Sequence, residues 1–122
     1  MDIDYVEKIE QETKLALKRQ DEQANLIMRT EREHKGDTEY LISFWENLWA
    51  TDGLLFNGVY WTFRLVELYY KEGRFDDAWR FLSRRTLDRP NYLNNIRRWQ
   101  LKILKKEKRD TSAIEELIRN GK

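Results

Sequence analysis

Apolar residues recur every three or four positions along most of the chain, and short polar breaks, most of them containing glycine, separate the runs. That spacing is the signature of amphipathic helices. No stretch alternates with period two and β-branched residues, so the pattern predicts an all-α protein. From Asp4 to about Lys35 the apolar positions are Val6, Ile9, Ala16, Leu17, Ala24, Ile27 and Met28. They form a thin stripe with gaps at Thr13 and Gln20. The polar middle, 18–25, either breaks the segment into two helices or forms one solvated turn. Gly36 suits a left-handed helix end, and Asp37 or Thr38 can cap the next helix.

Two central helices are expected to be apolar on more than one side. The first, Glu39 to about Ala50, carries Leu41, Ile42, Phe44, Trp45, Leu48 and Trp49. The second, about Val59 to Lys71, carries Val59, Tyr60, Trp61, Phe63, Leu65, Val66, Leu68, Tyr69 and Tyr70. Such helices are covered on two faces. After Gly73, Asp76 is the expected cap of a helix from Ala78 to about Thr86. Pro90 opens another, Tyr92 to about Lys106. Ser112 with Glu115 fits a capping box for a last helix ending at about Arg119.

Helices of this length joined by tight turns form antiparallel pairs, and the pairs repeat. Gly36 and Gly73 occupy equivalent turn positions, with Glu107 in the third place. Trp45 matches Leu82, and Leu41 matches Ala78. The central unit, 59–92, resembles a tetratricopeptide repeat. Leu65, Tyr69, Ala78 and Pro90 fall on that family's pattern, and Leu82 replaces its Phe. Thr62 stands where Trp is usual, and Val66 where a small residue is usual. The flanking units, 22–55 and 93–122, match in helix length and turn placement. The resemblance implies one α-helical domain over 1–122: a short stack of about three antiparallel helix pairs, with 1–21 as a further helix or arm. Another all-α bundle is the alternative.

Composition narrows the function. The 122 residues contain no Cys and one His, which leaves no disulfide framework, thiol nucleophile, Cys-type zinc site or His-pair metal site. No phosphate-cradling, dinucleotide, zinc-protease or nucleophile-elbow motif is present. His34, in a charged run at a helix end, reads as solvated, and Asp76–Asp77 and Glu115–Glu116 read as first-turn dipole partners. No enzyme activity, cofactor or metal is expected. No apolar run approaches the ~18 residues of a membrane span, and the acidic start carries no secretory signal, so a cytoplasmic protein is expected. The formal charge of +1 hides an asymmetry. Residues 1–61 hold 7 basic and 13 acidic groups, and 62–122 hold 16 and 9. Self-association through these opposed halves is one consequence.

The expectation is a protein-binding module. In tetratricopeptide stacks the first helix of each pair lines a groove for a peptide or partner helix. The resemblance places Tyr60, Phe63, Glu67, Tyr70 and Lys71 on that groove, with Asn94, Arg97, Leu101 and Lys105 from the last unit. Tyr with Arg and Lys suits binding hot spots. Leu26 and Glu67 stand where the carboxylate-binding subtype has Lys and Asn, which argues against capture of a C-terminal carboxylate. The alternative is a nucleic-acid-binding helical domain using the basic set between Arg80 and Arg109, in which Arg98, Lys102, Lys105 and Arg109 form one stripe.

Overall fold

A computed structural model describes residues 3–122. The described residues are all-helical with no strand. In chain order the helices are α1 (Ile3–Glu33), α2 (Thr38–Thr51), α3 (Val59–Thr62), α4 (Arg64–Lys71), α5 (Phe75–Asp88), α6 (Leu93–Lys106) and α7 (Ser112–Arg119). A single 3-10 turn, Pro90–Tyr92, precedes α6. The chain divides into two compact units, Met1–Gly58 and Val59–Lys122.

In the first unit α1 runs unbroken through the polar stretch 18–25. That stretch contains no Gly or Pro, so the helical hydrogen-bond ladder has no reason to stop. Gln23, Ile27 and Thr30 are buried at three- and four-residue spacing. Gly36 turns the chain at φ +88°. Asp37 then caps α2 by accepting the Tyr40 N–H at 3.2 Å. Leu41, Ile42, Trp45 and Leu48 form the buried side of α2. Trp45 is fully buried, and its indole Nε1 donates to Glu31 Oε2 at 3.1 Å. Its one polar atom is thereby satisfied. Beyond α2 the chain is held on α1 by Gln23. The Nε2 of Gln23 donates to the Gly53 carbonyl at 2.7 Å, and its Oε1 accepts the Leu55 N–H at 2.9 Å.

In the second unit each helix packs on the next: α4 on α5, α5 on α6, α6 on α7. The expected single helix 59–71 is interrupted at Phe63, whose φ of −104° lies outside the helical range. Backbone hydrogen bonds still pass through it, from Phe63 N–H to Val59 and from Glu67 N–H to the Phe63 carbonyl. Val59-Tyr-Trp-Thr-Phe63 is a run of β-branched and aromatic residues, all weak helix formers. Packing therefore decides its geometry, and the adjacent Thr62 and Phe63 both go inside. Ala78 and Leu82 of α5 are fully buried, with Leu65, Val66 and Tyr69 of α4. From the other side Ile96 and Ile103 complete the core. Full burial of one such aliphatic side chain is worth about 1.5–3 kcal/mol.

Three helices of this unit end in the same reverse turn. In α4, the Gly73 N–H bonds to Tyr70 and the Arg74 N–H to Tyr69. In α6, Lys108 N–H bonds to Lys105 and Arg109 N–H to Leu104. In α7, Gly121 N–H bonds to Ile118 and Lys122 N–H to Leu117. These are Schellman turns, which need one residue at positive φ. That residue is Gly73 at +72°, Lys108 at +57° and Gly121 at +70°. The turn residue after α6 is thus Lys108, one position later than the expected Glu107.

Two caps also differ from expectation. The tight turn at Gly73 lets α5 begin at Phe75, so Asp76 and Asp77 sit inside its first turn, not before it. Asp77 instead accepts from Arg74 Nε at 2.8 Å. Likewise Ser112 is the first residue of α7 and not its cap. Asp110 Oδ1 takes both the Ser112 N–H, at 3.0 Å, and its hydroxyl, at 2.7 Å. These two bonds hold the Asp110 carboxyl below its usual range.

Candidate functional site

The residues expected to line a groove lie on α3, α4 and α6. Helix α5 packs on both α4 and α6, and α4 and α6 meet at Tyr70 and Trp99. Tyr70 meets Trp99 edge-on with ring centroids 5.9 Å apart, and Phe75 at 5.5 Å. The Lys102 ammonium sits over both rings, 4.8 Å from Tyr70 and 5.0 Å from Trp99. The result is a half-buried aromatic patch with an exposed cation above it. Cation–ring contacts at exposed sites are worth about 0.5–1 kcal/mol. Trp99 and Phe75 were not among the expected site residues, and Lys102 was expected only in the basic stripe of the nucleic-acid alternative. The i, i+3 spacing of Trp99 and Lys102 was the available signal, since it places a ring and a cation on one helix face.

The expected residues divide into three groups. Tyr60, Lys71, Asn94 and Lys105 are exposed, and Tyr70 and Leu101 are half-buried. Tyr60 also packs edge-on against Trp61, centroids 4.7 Å apart. Phe63 does not reach an open face: it is 5% exposed and packs on Tyr92 at 6.2 Å. Thr62 and Phe63 both turn inward at the α3–α4 interruption, and this carries the ring off the face that a continuous helix would give it. Glu67 and Arg97 are held within the unit. The Glu67 carboxylate lies between Arg64 and Lys71, the latter at 3.8 Å. Arg97 Nε donates to the Lys122 carbonyl at 2.9 Å, and Nη1 to Gln100 Oε1 at 2.8 Å.

One member of the basic set is withdrawn from the surface. Arg80, Arg84, Arg98, Lys102, Lys105, Lys106, Lys108 and Arg109 are exposed. Arg85 is buried, its guanidinium 4.2 Å from the Phe81 ring and its Nε 3.0 Å from Asp88 Oδ1. Burial pushes the Arg85 pKa down, and Asp88 opposes that. A guanidinium spent in this way cannot meet a phosphate.

Two clefts open elsewhere. One, about 390 Å3, lies between Phe75, Trp79 and Arg80 of α5 and the side of Glu107 and Arg109. The other, about 310 Å3, lies in the first unit beside α1, with Arg19 at its edge and Leu26, Phe44, Leu48 and Leu55 on its walls. Among the described residues no helix is long and apolar enough to cross a membrane. No protein-family model, curated protein or solved structure matches the chain.

Proposed function

We propose that this chain is a protein-interaction module of tetratricopeptide-like design that takes a peptide or partner helix along the α3/α4–α6 edge. The observation that carries this reading is the Tyr70–Trp99–Lys102 patch, with exposed Lys71, Asn94 and Lys105 on the same two helices and exposed Tyr60 on α3. Half-buried rings present apolar area at small entropic cost, and lysines at the rim select the partner by charge. The partner chemistry that fits is an apolar or aromatic segment flanked by acidic residues. Phe63, Glu67 and Arg97 hold the edge in shape from within.

The test is peptide selection on the purified chain. Selected peptides should carry acidic and apolar residues, and Tyr60→Ala with Lys102→Glu should remove their binding while helicity stays unchanged. Peptides that bind both forms equally would end this reading. Generic nucleic acid retained with a steep salt dependence would support phosphate contacts instead.

A further inference from the structure

Half of α1 has no cover. Every residue from Ile3 to Arg19 is exposed, with Ile3 at 73%, Val6 at 37% and Ile9 at 44%. The helix nonetheless keeps one continuous seam. Counted in sevens, positions 6, 13, 20 and 27 alternate with 9, 16, 23 and 30. In the second half of α1 that seam is Gln20, half-buried, and Gln23, Ile27 and Thr30, all buried. In the first half it is Val6, Ile9, Thr13 and Ala16, all open. A buried seam that continues into the open is shaped for a second helix.

Charge indicates which helix. Residues 3–12 hold four acids, Asp4, Glu7, Glu10 and Glu12, and one base, Lys8, so their net charge is 1 − 4 = −3. Residues 13–19 hold Lys14, Lys18 and Arg19 and no acid, net +3. Laid antiparallel about Gln11, the same segment sets 3–9, which hold Lys8 against Asp4 and Glu7 and so carry 1 − 2 = −1, on 13–19 at +3, while Glu10 and Glu12 meet at the centre. A parallel copy sets like against like. The ion pairs of Lys18 with Glu22, at 4.0 Å, and Arg19 with Asp52, at 3.9 Å, are long and exposed. Such pairs are weak and leave these charges open to a partner.

We propose that two copies of this chain associate through an antiparallel helix pair over residues 3–19 of α1. With the two-fold axis at Gln11, Val6 meets Ala16 of the second copy and Ile9 meets its Thr13. Each layer sets a larger side chain on a smaller one. Ile3 and Leu17 of opposite copies extend the apolar contact on one flank. On the other flank, Tyr5 arrives beside Arg19 of the second copy, at the mouth of the first-unit cleft. Glu10 and Glu12 approach their own copies near the axis, and this repulsion keeps the association weak. The contact uses no residue of α4 or α6.

Sedimentation velocity of the full chain, from micromolar to near-millimolar concentration, reads the association. A monomer–dimer equilibrium is expected. Ile9→Asp should weaken it at least about tenfold, since it buries a charge without a partner. Ile9 is exposed in the single chain, so helicity should not change. Glu12→Gln should tighten it about twofold by removing a like-charge pair. The chain has no Cys, so orientation can be read by disulfide trapping. Val6→Cys mixed with Ala16→Cys should give the mixed disulfide in preference to either self-linked product. A monomer at every concentration, a dimer indifferent to Ile9→Asp, or Val6→Cys linking preferentially to itself each overturns the proposal.

Discussion

The two units end their helices in different ways. In the second, α5 and α6 are both 14 residues long, and three Schellman turns each stop a helix with its face covered. In the first, α1 runs for 31 residues beside an α2 of 14, and Ile3–Arg19 extend past any packing. The difference lies in the stop signals and not in helix propensity. Both units are rich in Leu, Glu, Lys and Arg. Gly73, Lys108 and Gly121 provide residues at positive φ at short intervals, whereas α1 meets none before Gly36. Where a stop comes early, packing sets the length. Where it comes late, the backbone ladder carries the helix into solvent.

If that comparison is right, core substitutions act on the unit that contains them. Trp45→Ala should cost about 3–5 kcal/mol and Leu82→Ala about 2–5 kcal/mol. Hydrogen exchange would show loss of protection concentrated around α2 in one case and α5 in the other. Equal loss in both units from either change would make them one cooperative body. Ala78→Trp should cost about 1–3 kcal/mol by overpacking, and a neutral result would mean that α4 and α5 are not in close contact there.

The next effect belongs to the first unit alone. Gln23→Ala leaves the Leu55 N–H and the Gly53 carbonyl without their side-chain partner. Loss of such part-buried bonds costs about 1–3 kcal/mol, readable as a lower denaturant midpoint with faster exchange at 53–55.

Smaller effects test the turns. Lys108 holds a conformation that costs a non-glycine residue about 1 kcal/mol, so Lys108→Gly should raise stability by up to that amount. Gly73→Ala should lower it by a similar amount. A Lys108→Gly variant that melts lower would show that the lysine side chain matters more than the backbone angle.

The smallest effect is pH-dependent. The Asp110 carboxyl is held below the ordinary carboxylate range by the Ser112 hydroxyl and N–H. A depressed folded pKa contributes stability above the unfolded value and loses it as pH falls through the folded one. Asp110→Ala should therefore melt slightly below the parent at pH 6, and the gap should close in strong acid. A gap that persists there would assign the effect to something other than ionisation.

Most of the fold was legible because helix periodicity and glycine placement are local signals. Of the six apolar residues of α2 expected to be covered on two faces, Leu41, Ile42, Trp45 and Leu48 are buried and Phe44 and Trp49 are half-buried, and α7 has the bounds its spacing gave. The misreadings share one cause. Phe63, Asp76, Ser112 and Lys108 each depend on where a turn begins to within one residue. Main-chain hydrogen bonds and packing decide that, not side-chain type. Lys108 could not be found by searching for glycine. The candidate surface was legible in part. Tyr70 was expected, but its contact with Trp99 and Lys102 depends on how α5 brings the end of α4 to α6. Arg97 has the composition of a binding residue, yet it is held by the Lys122 carbonyl, a partner 25 positions away.

The turns after α4, α6 and α7 have a consequence for how this sequence can change. Each is drawn by peptide N–H and C=O groups, which every residue except proline carries. Their pattern asks only for tolerance of one backbone angle. Most side chains around the turns can therefore drift while the chain keeps its path. Such a unit conserves a route through space more strictly than a string of letters, so relatives of the second unit would be recognised by superposing main chains before their residues could be aligned.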